Sequence, residues 1–323
     1  MTQPDLDRTT ASGFPLVALS AALWGTDALF RRGLALELPA TTVVVYEHLI
    51  LALIMAPILL RVRWRALSAA DLWSLVLIGG GASALATGMF TAAFRFGDPN
   101  APLLLQKLQP FVAILGARLL LGERLKPRFG LYASVAIVAA WLITFPDPLD
   151  VRVEAAQAGL LAAGAAVLWG MGTVLGRRMT SRLSLLELTA ARFGIGLPFA
   201  FFFAMIVSQG QTSALAIDMS DVVPLLLLAL VPGLLALLLY YRGLRSTPAS
   251  AATLAELSFP AAALVVNYLA FGAMVTATQL AGIVTLSATL VLLSFKGRED
   301  ARAVGVESRT PDTVGGGAGY GNG

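Results

Sequence analysis

Long apolar runs separated by short segments of charge, proline or glycine dominate this chain, and that alternation leaves few folds open. Ten runs can be marked, at 14–33, 41–60, 71–95, 99–121, 128–146, 156–177, 184–208, 221–242, 249–270 and 275–295. A helix needs about 20 apolar residues to cross the roughly 30 Å hydrocarbon core of a bilayer, so each run has the length of one crossing. Composition agrees: 57% of residues are hydrophobic and 13% are charged, with a mean hydropathy of +0.79. A water-soluble domain carries roughly 25% charged residues; so few charges cannot cover a globular surface in water. In hydrocarbon every backbone polar group must be bonded internally, and the alternating pattern of a membrane barrel strand is absent. The expected fold is an all-α polytopic membrane protein with ten transmembrane helices.

The two halves of the chain repeat each other. Ala21-Ala22-Leu23-Trp24-Gly25 is followed by Arg31-Arg32, and Ala166-Val167-Leu168-Trp169-Gly170 by Arg177-Arg178, at an offset of 145 residues. Basic residues orient the spans. With the N-terminus in the cytoplasm, the inner segments hold Arg61, Arg63, Arg65, Arg124, Lys126, Arg128, Arg177, Arg178, Arg182, Arg242, Arg245 and Lys296, while the outer ones hold only Arg31, Arg32, Arg95 and Arg152. Cytoplasmic loops carry the excess of Lys and Arg, which places both termini in the cytoplasm. Five spans per half is an odd number, so the halves form an inverted repeat, the symmetry that lets one fold open to either side in turn. The expected divisions are a cytoplasmic segment at 1–13, one five-helix repeat at 14–146, a second at 147–295, and a disordered cytoplasmic tail at 296–323. The N-terminal segment lacks the charged region and cleavage site of a signal peptide, so the first run reads as an uncleaved span.

Several chemistries are excluded. There are no cysteines and one histidine, so disulfides, thiolate sites and histidine clusters for metals fall away. The net charge of +4 is dispersed between apolar runs and forms no basic face for nucleic acid. Gly79-Gly80-Gly81 lies inside an apolar span without a following Lys-Ser/Thr, so it is no phosphate loop; it permits close helix contact or a hinge. No cofactor is expected.

Ionisable groups near the bilayer centre cost about 2.5 kcal/mol or more and face a cavity or a partner. From the span limits and a rise of about 1.5 Å per residue, Asp27, Glu47 and Lys107 lie roughly 5 Å to the outer side of the midplane, and Arg192 and Glu256 roughly 5 Å to the inner side. Glu47 and Arg192 are 145 residues apart, and Gln106 and Glu256 are 150 apart. The pairs expected on that relation are Glu47 with Lys107 and Arg192 with Glu256, with Asp27 a rival partner for Lys107. They either neutralise one another structurally or exchange with substrate during transport. In span 9, Thr253, Glu256, Pro260 and Asn267 share one helical face. In span 4, Gln106, Gln109 and Pro110 fall at similar spacing. Both polar stripes surround a midspan proline, which frees a carbonyl and lets a helix bend, and together they point at one central cavity. Trp24 and Trp169, near the centres of their spans, suit either the wall of a substrate site, including cation–π contact, or packing beside Gly25 and Gly170. His48 titrates near neutrality when unperturbed and reads as a coupling or a hydrogen-bonded structural residue. Tyr240 and Tyr241 read as interfacial anchors, and Arg118 and Glu187 as boundary charges.

The ten-span duplicated layout resembles the drug/metabolite transporter superfamily, in particular its EamA-type members. The resemblance rests on the Trp-Gly of spans 1 and 6 and on Leu108-Gln109-Pro110-Phe111 leading to Leu121-Gly122-Glu123-Arg124-Leu125 and Gly130. In the second half Pro260 and Gly272 keep the spacing, and Ala273 stands where the glutamate would be. The resemblance covers roughly 14 to 295 and implies an inner-membrane carrier with a central cavity lined by spans 1, 3, 4, 6, 8 and 9. The function expected is a secondary transporter, an exporter of small organic metabolites such as amino acids, working by alternating access. The substrate-binding candidates are Trp24, Asp27, Gln106, Lys107, Gln109, Trp169, Glu256 and Asn267. The coupling or gating candidates are Glu47, His48, Pro110, Arg192 and Pro260. Asp27, Glu47 and Glu256 are the acids that would carry a proton, and transport without coupling is equally compatible. The partners are a small-molecule substrate, the lipid bilayer and, for a coupled carrier, protons, in a monomer or a homodimer. A carrier of phosphorylated or nucleotide sugars and an intramembrane carboxylate enzyme are the rival readings. The first wants clustered cations, and the second wants a catalytic constellation at matching depth.

Overall fold

A computed structural model describes residues 13–96, 98–122, 125, 128–244, 246–247, 252 and 254–307. The N-terminal segment 1–12, Glu123 and Arg124 of the span-4 signature, Thr253 and the tail from 308 lie outside them.

Among the described residues the first two helices are α1 (Phe14–Gly25) and α2 (Asp27–Glu37), separated by an interruption at Thr26. Then follow α3 (Ala40–Leu59), α4 (Ala69–Ala93), α5 (Asn100–Leu120), α6 (Phe129–Thr144), α7 (Val153–Met179), α8 (Leu185–Val207), α9 (Met219–Gly243), α10 (Ser258–Phe271) and α11 (Ala277–Glu307). Among the described residues, α3, α4, α5, α7, α8 and α9 are long and apolar enough to cross a bilayer, and α6, α10 and the Ala277–Leu293 part of α11 are shorter apolar helices. The last helix continues past Lys296 to Glu307. The expected tail is therefore helical at its start, in a stretch rich in the helix formers Ala, Arg and Glu.

The connections sort to two ends of the bundle. At one end, Val62, Trp64 and Leu67 pack with Met179 and Leu183. At the other, Thr42 and Tyr46 donate to the carbonyls of Ala214 and Leu215, Arg95 reaches the carbonyl of Leu38, Thr276 reaches that of Pro146, and Gln279 bonds Asp98. Helix starts are fixed locally at the first end by reciprocal capping boxes, Ser68 with Asp71 and Ser184 with Glu187. Such boxes satisfy two of the backbone donors a helix start leaves orphaned. Glu187 thus works as a cap.

Helices pack across the two halves: α3 on α8, α6 on α11, α1 on α9 and α10, and α7 on α4 and α5. The Trp-Gly pattern is where two of these contacts tighten. A Cβ on Gly25 would stand 2.8 Å from the carbonyl oxygen of Phe259, and one on Gly170 2.9 Å from that of Gln109. The glycines are 145 residues apart and their partners 150 apart, so each half inserts its glycine against the equivalent backbone of the other.

Besides the break at Thr26, the helices give way along their length in four places. In α5 the segment Gln106–Leu108 tightens to a 3-10 turn, and the Gln109 N–H bonds the Gln106 carbonyl. Pro110 explains it, having no N–H to offer that carbonyl. The same happens before α10, where the N–H of Phe259 bonds the Glu256 carbonyl at 3.1 Å because Pro260 cannot. In α4 the segment Leu77–Leu85 is a π-helix, and in α9 so is Ala229–Leu235. π segments are rare and concentrate at functional sites.

Candidate functional site

These interruptions surround one cavity of about 950 Å³. Its wall reaches Thr180 and Leu185 at the Met179–Leu183 end of the bundle, the mouth. Toward the opposite end it stops at Asp27, Arg31 and Glu47. Helices of spans 1, 3, 4, 6, 8 and 9 contribute as expected, and α3, α8 and α11 contribute as well.

The sealed end is closed by one guanidinium. Arg31 Nε and Nη2 donate to the two oxygens of Asp27 at 2.6 and 2.9 Å. Nη1 and Nη2 donate to the two oxygens of Glu47 at 3.0 and 3.2 Å, and Nη1 also donates to Thr91 Oγ1 at 2.8 Å. An arginine has five N–H groups in a rigid fork, and all five are used. Asp27 and Arg31 meet because they are four apart on α2, while α3 and α4 bring Glu47 and Thr91. Arg31 is only 3% exposed and its guanidinium also lies 5.4 Å from the Phe90 ring.

This corrects two expectations. Arg31 is not an outer-loop residue, because a helix restarts after Thr26 and runs to Glu37. Glu47 therefore pairs with Arg31, and Asp27 does too, leaving Lys107 to neither. Lys107 instead pairs with Glu256 across the two halves, Nζ to Oε2 at 3.6 Å, and lies 4.5 Å from the Phe259 ring. The Tyr240 hydroxyl donates to the other Glu256 oxygen at 2.6 Å. Tyr240 and Tyr241 both line the cavity and are not interfacial anchors; the π segment ahead of them in α9 shifts the register of that face.

Arg192 was expected on Glu256 and is not there. Its Nε donates to Ser83 Oγ at 3.1 Å and its Nη2 to the Ala82 carbonyl at 3.1 Å, and it forms no ion pair with a carboxylate among the described residues. His48, 1% exposed, completes this chain. Its Nδ1 is 2.9 Å from the Val44 carbonyl and its Nε2 is 2.9 Å from Ser83 Oγ. A carbonyl only accepts, so Nδ1 carries the proton, and the Ser83 hydroxyl, already accepting from Arg192, donates to Nε2. Gly196 makes room, since a Cβ there would meet His48 Cδ2 at 2.7 Å.

Between the two charged zones stand aromatic rings. Trp24 lies 5.0 Å from Tyr240 and Trp169 5.1 Å from Phe90, centre to centre. Trp24, Gln106, Gln109, Pro110, Trp169 and Pro260 are all in the cavity wall, and the side chains of Gln106 and Gln109 are bonded to no other described residue. Asn267 is the exception among the candidates. It is fully buried and outside the cavity wall, donating to Asn100 Oδ1 at 2.8 Å; its place near the end of α10 carries it toward the sealed end. There Asp98, in the connection before α5, accepts from the Asn100 N–H and from Gln279. Burial holds the Asp98 carboxyl above its ordinary range despite those bonds. No group of three or more His, Cys, Asp or Glu residues able to hold a metal occurs among the described residues.

The residues that sequence reasoning missed are Arg31, Ser83, Phe90, Thr91 and Tyr240. The four-residue spacing of Asp27 and Arg31 was the available signal for the first; the others follow from contacts between helices distant in sequence.

Comparison with known proteins fits this architecture. The chain is 30% identical over 293 residues to the riboflavin transporter ImpX of Fusobacterium nucleatum subsp. nucleatum, a match covering 87% of this chain and 97% of the relative. A solved crystal structure superposes with a TM-score of 0.57 at 21% identity, over 88% of this chain and 98% of the other; it shares the fold. The family model of the EamA-like transporters matches residues 11–145 and again 157–295, and with both halves matched the chain belongs to the EamA-like transporter family, a membrane-embedded carrier of small molecules and not an enzyme.

Proposed function

We propose that this protein carries a planar heteroaromatic metabolite of the flavin class across the membrane by alternating access between two inverted five-helix halves, ten crossings in all. One observation carries the reading: a cavity of about 950 Å³ walled by Trp24 with Tyr240 and by Trp169 with Phe90. Small-ligand sites span roughly 300–1,000 Å³, so this one has room for a fused three-ring system and a polyol chain. Aromatic faces attract such rings through offset or edge-on contact worth about 0.5–1.5 kcal/mol per pair beyond burial. Gln106 and Gln109 bring unbonded amides to the same wall, suited to a chain of hydroxyls. The name of the relative, a riboflavin transporter, points the same way. Amino acid export, the sequence-based expectation, would use a fraction of this space and leaves the aromatic wall without a role.

In this reading Trp24, Trp169, Gln106, Gln109, Lys107 and Glu256 bind substrate, and Asp27 and Glu47 gate with Arg31. The mouth faces the cytoplasm, with both termini on that side. The Arg31 cluster blocks the other exit and must part for the cavity to open there. Rocking of the halves about the π segments of α4 and α9 and the proline breaks of α5 and α10 supplies the change. Glu256, held by Lys107 and Tyr240 on the cavity wall, is the acid placed to exchange its ion pair for a proton.

The test is uptake of riboflavin into liposomes holding the purified protein, with and without an imposed pH gradient. Saturable uptake that falls at least tenfold in Trp24→Ala is expected. Gradient dependence that disappears in Glu256→Gln would assign the coupling to Glu256. Uptake of amino acids with none of riboflavin would overturn the flavin reading.

A further inference from the structure

Among the described residues, Arg177 lines the cavity near its mouth and Arg31, Lys107 and Arg192 line it deeper, and two of these three are spent. Arg31 gives all five N–H groups to Asp27, Glu47 and Thr91. Lys107 is paired with Glu256. Arg192 differs: Nε and one Nη2 proton are held by neutral acceptors, the Ser83 hydroxyl and the Ala82 carbonyl. Those two bonds lie along one edge of the planar guanidinium. The other edge, formed by Nη1 and the second Nη2 proton, donates to no described residue, and Arg192 lines the cavity. The held edge fixes the plane of the free one, which is the preorganisation that makes a charged donor selective.

We propose, building on the flavin reading, that this free edge of Arg192 is the substrate-reading group, and that it takes two adjacent acceptors on the rim of the ring system, a ring nitrogen with its neighbouring carbonyl. A guanidinium fork presents two parallel N–H donors and matches a side-by-side acceptor pair. The flavin ring has such pairs on both sides of its carbonyl-bearing ring. A phosphate fits less well. Beside Arg192 the sealed end holds two carboxylates, Asp27 and Glu47, against one guanidinium, and that excess of negative charge opposes a dianion. Orientation follows: the carbonyl-bearing rim toward Arg192 and Ser83, the polyol toward Gln106 and Gln109 on α5.

The experiment is equilibrium binding, read as quenching of tryptophan fluorescence by riboflavin, by flavin mononucleotide and by phenazine, a flat three-ring compound with ring nitrogens and no carbonyl. Wild type, Arg192→Gln and Ser83→Ala are compared in detergent. A hydrogen bond from a charged group is worth about 1.5–3 kcal/mol, so Arg192→Gln should weaken riboflavin by about 10- to 100-fold. It should leave phenazine, held by the aromatic walls alone, within about twofold. Ser83→Ala, which frees the held edge, should weaken riboflavin by less than Arg192→Gln. Unchanged riboflavin affinity in Arg192→Gln overturns the assignment while the flavin reading stands. Failure of wild type to bind riboflavin overturns that reading and this assignment with it. Flavin mononucleotide binding far more tightly than riboflavin, with the advantage lost in Arg192→Gln, would show that Arg192 reads a phosphate and not the ring. Should Arg192→Gln not fold, Arg192→Lys keeps the cation and loses the fork. It should lose at least threefold in riboflavin affinity and none in phenazine affinity, and equal riboflavin affinity would overturn the assignment.

Discussion

Arg31 illustrates how one side chain can close a cavity. Two carboxylates and a guanidinium are buried together, and the arrangement holds because every guanidinium proton has an acceptor. Removing one partner of such a group leaves an uncompensated buried charge, at about 3–5 kcal/mol. Arg31→Met should therefore lower stability by about that amount, seen as a lower midpoint of thermal unfolding in detergent. Adding Glu47→Gln and Asp27→Asn to Arg31→Met should recover part of the loss, because the orphaned charges are gone. If Arg31→Met unfolds at the wild-type temperature, the cluster does not hold the sealed end together.

At the scale of elements, the two Trp-Gly motifs act as fasteners between halves. Gly25 lies against the Phe259 backbone and Gly170 against that of Gln109. A methyl group there must displace main chain, and overpacking of this kind costs about 1–3 kcal/mol. Gly33, on the neighbouring helix α2, has nothing within 4 Å of an added Cβ. Gly25→Ala and Gly170→Ala should each lower the unfolding midpoint, whereas Gly33→Ala should leave it unchanged or raise it slightly, since Ala favours helix over Gly by about 1 kcal/mol. Equal effects at all three positions would mean that the motif glycines are not contact points. The duplication, and with it the equivalence of Trp24 with Trp169 and Pro110 with Pro260, was legible because the same local pattern occurs twice. Depth was legible only in part: a constant rise per residue turns sequence position into height, yet Arg31, reckoned to an outer segment, lines the cavity. What a residue meets sideways was not. An offset says that Glu47 and Arg192 are equivalent, not which helix each faces, so both expected ion pairs were drawn within a half. The observed Lys107–Glu256 pair crosses between halves. The break at Thr26 and the π segments left no periodicity to read, although the glycine run at 79–81 and Pro232 lie inside the two π segments.

At the scale of the whole molecule, the structure sharpens the orientation argument. With Arg31 moved into the sealed end and Arg32 on the same helix, over the Phe271 ring, the loops of that end keep Arg95 and Arg152 beside Asp98, Asp147, Asp150 and Asp218. The mouth end carries Arg61, Arg63, Arg65, Arg177, Arg178 and Arg182. Basic loops stay in the cytoplasm, so the mouth should be cytoplasmic and the Arg31 cluster should face the outside. The absence of cysteine makes the test direct. Leu149→Cys, at a position 95% exposed near the sealed end, should react with a membrane-impermeant maleimide on intact cells. Arg63→Cys, at the mouth end, should react only after permeabilisation. The reverse pattern would turn the molecule over and make the mouth an external one, so that opening to the cytoplasm, and not opening to the outside, would be the step that breaks the Arg31 cluster. Labelling of both cysteines from one side would break the up-and-down arrangement itself, and with it the inverted relation of the halves on which alternating access depends.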